Sequence, residues 1–115
     1  MRAWAHDVYT YPLPEGHRFP LAKYRLVRQG AEAEPTITVH PAPAASDEQL
    51  LRTHTPAYLE RMRTGDVERR AQLALGLPWS PELVQRARRA TGATVAAAHA
   101  ALDDGGGLAA NLGGG

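Results

Sequence analysis

The chain has 115 residues, of which 43% are hydrophobic and 22% are charged, and these values are ordinary for one globular domain. Its formal net charge of +1 gives no electrostatic reason to expect nucleic acid or an anionic membrane as a partner. It contains no cysteine, which excludes disulfides and thiolate metal sites and fits a cytoplasmic location. The sequence shows neither a signal peptide nor the roughly 20 consecutive apolar residues that span a bilayer.

The first third of the chain predicts two strands separated by a helix. Residues 3–11 are rich in Trp, Tyr and Val and predict a first strand, after which several prolines impose an extended loop. Pro20 suits the first position of a helix, and apolar side chains at three-residue spacing predict a short amphipathic helix that ends at Gly30. Residues 36–39 alternate polar and apolar β-formers between two prolines, which predicts a second short strand.

Signals that start helices dominate the middle of the chain. Ser46 and Gln49 match a capping box, in which each side chain bonds the backbone N–H of the other residue, so a helix is expected to begin there. Thr55 can cap a further helix, which is expected to end near Gly65. Residues 66–75 predict another one or two helical turns.

The longest predicted helix begins at residues 80–82 and runs to about Leu102. Ser80 supplies a cap, Pro81 a preset backbone angle and Glu82 a negative charge at the positive end of the helix dipole. An interior Gly92 costs about 1 kcal/mol relative to alanine, so we expect another element to approach the helix closely there. The stripe expected to face the core is Val84, Ala87, Thr91, Val95, Ala98 and Leu102. The arginines expected on other faces are Arg86, Arg88 and Arg89.

Residues 108–112 predict a third strand, which runs into three glycines. The order strand, helix, strand, helices, strand is typical of an open α/β sheet with crossover connections. Three short strands are few for 115 residues, so we expect residues 1–115 to form a single partial domain of a larger sheet. A strand that ends in a glycine turn often delivers the residues after it to an active site.

The side chains that could carry chemistry form no established catalytic or metal-binding motif. No two histidines have the three- or four-residue spacing that places two ligands on one helix face. The sequence also has no nucleophile elbow, no phosphate-binding loop and no cysteine nucleophile. A metal site built from histidines would therefore have to be assembled from residues distant in the sequence. The five histidines are His6, His17, His40, His54 and His99.

One loop is a stronger candidate for a functional site than the other polar segments of the chain. It places an acid, an imidazole, a guanidinium and an aromatic ring between prolines at the end of a strand, and such loops often line pockets in α/β folds. The alternative is a proline-rich turn with Phe19 packed into the core. The residues of this loop are Pro14, Glu15, Gly16, His17, Arg18 and Phe19.

Four segments in chain order together resemble one known family. Residues 11–24, YPLPEGHRFPLAKY, are similar to its N-terminal loop and first helix, and residues 45–59 contain its pattern H-x-x-x-Y-L. Residues 89–94 resemble its long helix that leads toward the active site, and residues 111–115, NLGGG, resemble the start of its GGG-x-H-H signature. The family is the histone deacetylase superfamily, and the likeness is greatest to its bacterial members and to the class IV eukaryotic enzyme.

The resemblance implies a three-layer α/β/α arginase/deacetylase fold with a mostly parallel sheet. It also implies a zinc-dependent amidohydrolase that acts on acetyl-lysine or another acylated amine, in which zinc polarises the amide carbonyl and a His pair moves protons. Residues 14–19 would then form the rim of the substrate pocket. The glycines that would line the pocket below the His pair are Gly113, Gly114 and Gly115.

In this comparison the chain ends before the residues that perform the chemistry. The His pair would follow Gly115, and the zinc ligands and the catalytic Tyr lie further downstream in the family. We therefore predict that residues 1–115 alone are inactive and bind no zinc. An exposed edge of a parallel sheet would favour self-association of such a fragment.

Two other interpretations stay open at this point. The manganese ureohydrolases share the fold and also carry glycines before a metal-binding His, so the chain could be a fragment of one of them. Alternatively, the chain is a small non-enzymatic helical interaction module whose glycines are a tail. A cooperative, monomeric fold without exposed apolar surface would favour the module.

Overall fold

The computed structural model describes residues 1–103 and 107–114. The strands are β1 (Arg2–Ala5), β2 (Thr38–Pro41) and β3 (Ala109–Asn111). The helices are a 3-10 turn (Asp7–Tyr9) and the α-helices α1 (Ala22–Ala33), α2 (Asp47–Leu50), α3 (Pro56–Thr64), α4 (Arg69–Leu75) and α5 (Pro81–Asp103). No helix within the described ranges is long and apolar enough to span a membrane.

The strands form one parallel sheet in the order β2, β1, β3. Ala3 in the central strand lies opposite Val39 of β2 and Ala110 of β3. β1 is buried from Ala3 to Ala5, as expected for a strand with a neighbour on each side. The predicted α/β class with a parallel sheet is confirmed, and the sheet is consistent with part of the deacetylase fold.

β1 is shorter than predicted because the backbone turns at His6. The prediction of a strand over residues 3–11 is wrong beyond Ala5. The His6 Nδ1 atom accepts a hydrogen bond from the Val8 N–H at 3.0 Å, and the Tyr9 N–H donates to the His6 carbonyl oxygen at 3.1 Å. These local bonds satisfy backbone groups that a strand would pair with its neighbour, so a 3-10 turn forms instead.

β2 begins two residues later than predicted because Glu34 holds the residues before it in a turn. The Thr36 hydroxyl donates to the Glu34 carboxylate at 2.9 Å, and the Ile37 N–H donates to the Glu34 carbonyl oxygen at 3.0 Å. The strand therefore spans Thr38–Pro41 rather than residues 36–39.

α1 passes through Gly30, so the predicted helix end at that residue is wrong. Gly30 is not among the described glycines with a positive φ, which is the backbone conformation that ends many helices. The helix continues to Ala33 and stops ahead of Pro35, because the residue before a proline is disfavoured in the helical region.

The predicted starts of α2 and α3 are confirmed, whereas α4 begins at Arg69 rather than at residue 66. Ser46 and Gln49 form both arms of the capping box, at 3.1 and 2.9 Å. The Thr55 hydroxyl accepts a hydrogen bond from the Tyr58 N–H at 3.2 Å. α3 ends at Gly65, whose φ of 81° is rarely adopted by a residue with a side chain.

The face of α5 that meets the sheet differs from the predicted stripe. The helix starts at Pro81 as predicted, but none of the residues of the predicted stripe is among its buried residues. Alanine and glycine let the helix lie close to the sheet, whereas the sequence pattern gives weight to larger apolar side chains. Leu102, from the predicted stripe, is 81% exposed. The residues buried instead are Leu83, Gly92, Ala93, Ala97 and Ala100.

The three arginines of α5 are half-buried against neighbouring elements, so the prediction that they lie on other faces is wrong. The Arg86 guanidinium lies over the Tyr24 ring, 4.8 Å from its centre. Arg88 and Arg89 donate to backbone carbonyl oxygens of the segment after β2, at 3.3 and 2.7 Å. The charged ends of Arg88 and Arg89 thus find polar partners, whereas the Arg86 Nε atom is buried without a hydrogen-bond partner among the described residues.

The hydrophobic core lies between β1, α1 and α5. Its most buried large side chain is Tyr9, which is 1% exposed and packs edge-on against Tyr24 with 6.1 Å between ring centres. Trp4 of β1 and Leu83 of α5 belong to the same cluster. The core therefore reaches the end of the sheet at which β1 stops.

Candidate functional site

The segments that follow the strands meet at the carboxyl edge of the sheet, which is where parallel sheets usually place ligands and catalytic groups. Tyr9 follows β1, residues 42–45 follow β2, and Asn111 ends β3. Each of these segments is bonded to α5 within residues 88–94, which we call the α5 anchor. The anchor thus connects the ends of all the described strands.

Tyr9 ties the turn after β1 to the α5 anchor. Its hydroxyl donates a hydrogen bond to the Arg89 carbonyl oxygen at 3.1 Å. Burial raises the pKa of Tyr9 to about 12, although the positive charges of Arg86 and Arg89 favour the phenolate. The phenol is therefore neutral at physiological pH and acts as a hydrogen-bond donor rather than as a base.

The segment after β2 lies directly on the α5 anchor. The Ala45 N–H donates to the Arg88 carbonyl oxygen at 2.9 Å, and the Arg89 guanidinium donates to the Ala42 carbonyl oxygen at 2.7 Å. Backbone atoms of this segment fill the space that a β-carbon on Gly92 would occupy. The close approach predicted from Gly92 is confirmed.

Asn111 joins the end of β3 both to the α5 anchor and to the glycines that follow. Its Nδ2 group donates to the Ala90 carbonyl oxygen at 2.8 Å and to the Thr94 Oγ1 atom at 3.0 Å. Its Oδ1 atom accepts the Gly113 N–H at 2.9 Å. The side-chain amide is bonded at both ends, and this fixes its orientation.

Gly113 packs so closely against the Tyr9 ring that no larger residue fits. A β-carbon on Gly113 would overlap ring atoms of Tyr9, which is itself enclosed by the core. Gly114 has more room, because a β-carbon there would lie 3.4 Å from the Asn111 Nδ2 atom. Gly115, the third glycine predicted to line the pocket, lies outside the described residues.

Comparison with known proteins identifies the family to which this edge belongs. The sequence profile of the histone deacetylase domain matches residues 15–115, which is most of the chain. The chain belongs to the histone deacetylase family. The family membership expected from the four segments is confirmed, and it favours a deacetylase over the ureohydrolase and the interaction module.

A second comparison finds a relative in a cyanobacterial strain. The chain is 37% identical over 113 residues to a protein of Picosynechococcus sp. (strain ATCC 27264 / PCC 7002 / PR-6) that is described as uncharacterized. The alignment covers 96% of this chain and 37% of the Picosynechococcus protein. The chain therefore spans about 37% of the length of this relative.

The loop predicted to form the deacetylase pocket rim is anchored to the end of α4. The His17 Nδ1 atom accepts the Phe19 N–H at 3.2 Å, and the Nε2 atom lies 3.2 Å from the Gly76 carbonyl oxygen. The loop turns at Gly16, whose φ is 82°. Phe19 is 39% exposed, so the alternative that packs it into the core is wrong. The other exposed residues of the loop are Pro14, Glu15, Gly16 and Arg18.

His17 also lines an open cavity of about 380 Å³ between this loop and α4. The rest of the wall consists of Arg69, Gln72, Leu73, Gly76, Leu77 and Pro78. Tyr9, Asn111 and Gly113 lie outside this wall. The cavity therefore does not join the loop to the glycines, and the assignment of residues 14–19 to a pocket rim stays a prediction.

The described residues do not fit the zinc ion of the deacetylase family. Within residues 1–103 and 107–114, no three side chains of His, Asp or Glu are grouped so that they could hold a metal ion. His6, which follows β1, uses its Nδ1 atom to accept the Val8 N–H. Burial and the charge of Arg89 lower the pKa of His6, so its ring is neutral at physiological pH.

Sequence reasoning alone does not single out Tyr9 or Asn111. Tyr9 falls inside the segment predicted as a strand, and its position depends on the turn at His6. A signal for Asn111 does exist, because Asn side chains commonly bond the backbone N–H two residues further on. The residue at that position is Gly113, and the expected bond is present.

The titration of Tyr9 provides a first test of this geometry. Its pKa of about 12 lies above the ordinary value of 10.0, so the stability due to the neutral phenol is fully present below about pH 10 and is lost as the pH rises toward 12. We expect the free energy of unfolding to fall by about 2 to 3 kcal/mol over this interval. Urea denaturation at several alkaline pH values measures the fall. Tyr9→Phe cannot ionise and should lack this contribution, whereas an equal fall in that variant would contradict the assignment.

Proposed function

We propose that residues 1–115 form the N-terminal portion of the catalytic domain of a zinc-dependent deacetylase, which hydrolyses the amide of acetyl-lysine or another acylated amine. Membership in the histone deacetylase family supports this class of reaction. The observation that carries the proposal is the fixed position of the Gly113 backbone at the carboxyl edge of the sheet, between Tyr9 and Asn111. A glycine backbone at this edge lets a substrate or a following side chain approach closely.

In this proposal the chain contributes a scaffold rather than reacting groups. The family signature has its His pair one residue after the glycines, so the direction in which the backbone leaves β3 determines where those side chains stand. Displacing a catalytic group by about 1 Å can lower a rate roughly 100-fold. The α5 anchor supplies the rigidity, because segments from the ends of all the described strands are bonded to it.

We propose further that residues 1–115 alone do not hydrolyse amides. Neither Tyr9 nor His6 is suited to act as a general base at this edge. The Tyr9 hydroxyl is already bonded and has a pKa of about 12, while the His6 Nδ1 atom is engaged by the Val8 N–H. A general base needs a pKa near the working pH and a free lone pair within reach of the substrate.

An assay of the isolated chain tests this second statement. An acetyl-lysine peptide is incubated with the chain, with and without added Zn²⁺, and protein-bound zinc is measured after dialysis. We expect no turnover above buffer and no stoichiometric zinc. Turnover accompanied by stoichiometric zinc would show that the reacting groups lie within these 115 residues.

A chimera tests the proposed reaction class. Residues 1–115 replace the aligned segment of the Picosynechococcus protein, and the unmodified Picosynechococcus protein is the control. We expect the chimera to bind zinc and to release acetate from an acetylated lysine or another acetylated amine. A folded chimera that is inactive beside an active control would argue against the proposal, as would inactivity of both proteins toward every acetylated amine tested.

A further inference from the structure

We infer that Asn111 is a positioning residue for the deacetylase reaction, because it sets the direction in which the backbone leaves β3. This inference rests on the proposed function. The sheet itself holds the chain as far as Leu112, whose N–H donates to the Trp4 carbonyl oxygen at 2.9 Å. Gly113 follows, and its N–H is bound by the Asn111 side chain instead of by a strand.

The two ends of the Asn111 amide are chemically matched to this role. The Nδ2 group is a donor and faces two acceptors on α5, the Ala90 carbonyl oxygen and the Thr94 Oγ1 atom. The Oδ1 atom is an acceptor and faces the Gly113 N–H. Rotating the amide by half a turn would place donor against donor at Gly113 and acceptor against acceptor at Ala90. The amide therefore keeps one orientation, and the position of Gly113 is set relative to α5.

Tyr9 also restricts the position of Gly113. The Tyr9 hydroxyl lies 3.5 Å from the Asn111 Oδ1 atom but 3.1 Å from the Arg89 carbonyl oxygen. A hydroxyl has one proton, so the shorter contact is the favoured bond, and the Oδ1 atom, which has two lone pairs, accepts the Gly113 N–H in either case. The Tyr9 ring meanwhile fills the space beside Gly113. Gly113 is thus held by one hydrogen bond and one steric contact.

Amide hydrogen exchange in the 115-residue chain separates positioning from a general loss of structure. Asn111→Ala removes both the acceptor and the donors, whereas Asn111→Asp keeps an acceptor for the Gly113 N–H. We expect exchange at Gly113 to accelerate roughly tenfold in Asn111→Ala and by less in Asn111→Asp. Exchange at Leu112, the internal reference, should stay near its wild-type rate. Equal acceleration at Gly113 and Leu112 would indicate a merely structural role and would overturn the inference.

The same substitutions in the chimera test the connection with catalysis. We expect Asn111→Ala to lower kcat roughly 10- to 100-fold with little change in KM, and Asn111→Asp to restore part of the loss. Gln85→Ala, at an exposed position of α5, is the control. A wild-type kcat in Asn111→Ala, or an effect confined to KM, would overturn the inference. If the unsubstituted chimera has no turnover, the proposed function fails. The exchange rates then still show whether Asn111 positions the Gly113 backbone.

Discussion

Replacing Gly92 with alanine is expected to lower the free energy of unfolding by about 3 kcal/mol. The added methyl group would overlap the backbone of residues 43–45. Backbone atoms cannot rotate away as a side chain can, and this segment is bonded to α5 through the Ala45 N–H. The helix must therefore move away from the segment, which weakens the bonds between them. Urea denaturation followed by circular dichroism measures the loss.

Gly30→Ala is the matched control for this substitution. Gly30 also lies inside a helix, but no atom lies within 4 Å of the position its β-carbon would take. Alanine there should raise stability by about 0.5 to 1 kcal/mol, which is its ordinary advantage over glycine in a helix. Opposite signs at the two positions are the expected result. Stabilisation at Gly92 as well would mean that α5 does not lie against residues 43–45.

Gly113→Ala is expected to lower the free energy of unfolding by about 2 to 3 kcal/mol and to displace the turn after β3. The new β-carbon would meet the Tyr9 ring, and this cost is purely steric because Gly113 is not among the described glycines with a positive φ. Tyr9 has to move toward water, so its pKa should fall from about 12 toward 10.0. Urea denaturation measures the first effect, and alkaline titration of phenolate absorbance measures the second.

Gly114→Ala is the control for the steric part of this prediction. A β-carbon on Gly114 would lie 3.4 Å from the Asn111 Nδ2 atom, which is an ordinary contact. We expect a change in stability of less than about 0.5 kcal/mol and an unaltered pKa of Tyr9. Equal losses in the two variants would show that the turn tolerates no substitution at all, and the specific contact between Gly113 and Tyr9 would then be wrong.

The substitutions at Gly92 and Gly113 concern the same structural arrangement, in which α5 and the segments after the strands lie unusually close together. The closeness at Gly92 positions the segment after β2, and the closeness at Gly113 positions the turn after β3. Close-packed backbone transmits displacement with little loss, because interiors have few voids that can absorb it. A displacement of α5 should therefore also displace the backbone at Gly113.

Short-range features of the fold were accessible from the sequence. The capping box of Ser46 and Gln49 and the cap supplied by Thr55 involve partners only three residues apart, so the sequence contains both halves of each bond. Gly65 ends its helix by a property of its own backbone. The α/β class also followed, because the order of strands and helices restricts the topologies that can form.

The buried face of α5 and the end of β1 were not accessible in the same way. The buried face of α5 is built mainly from alanine and Gly92, which carry little hydrophobic signal, so the larger Val84 and Leu102 appeared to define the inner stripe. The end of β1 depends on a competition between the His6 side chain and the sheet ladder. Local sequence patterns do not determine which of these two sets of hydrogen bonds is the more stable.

In the candidate site, too, the sequence predicts some features and not others. The bond from Tyr9 to Arg89 joins residues 80 positions apart, and the bond from Asn111 to Ala90 joins residues 21 positions apart. No local pattern contains either pair. The family resemblance located Gly113 but assigned no role to the two side chains that hold it in place.

Nuclear Overhauser contacts between the Gly113 α-protons and the Tyr9 ring protons, recorded on the 115-residue chain, test most directly whether the glycine backbone is fixed at the carboxyl edge. We predict strong contacts, together with a Gly113 α-proton shift displaced from its random-coil value by the ring. Random-coil shifts for Gly113 and no contact with Tyr9 would contradict the arrangement from which the deacetylase scaffold is inferred.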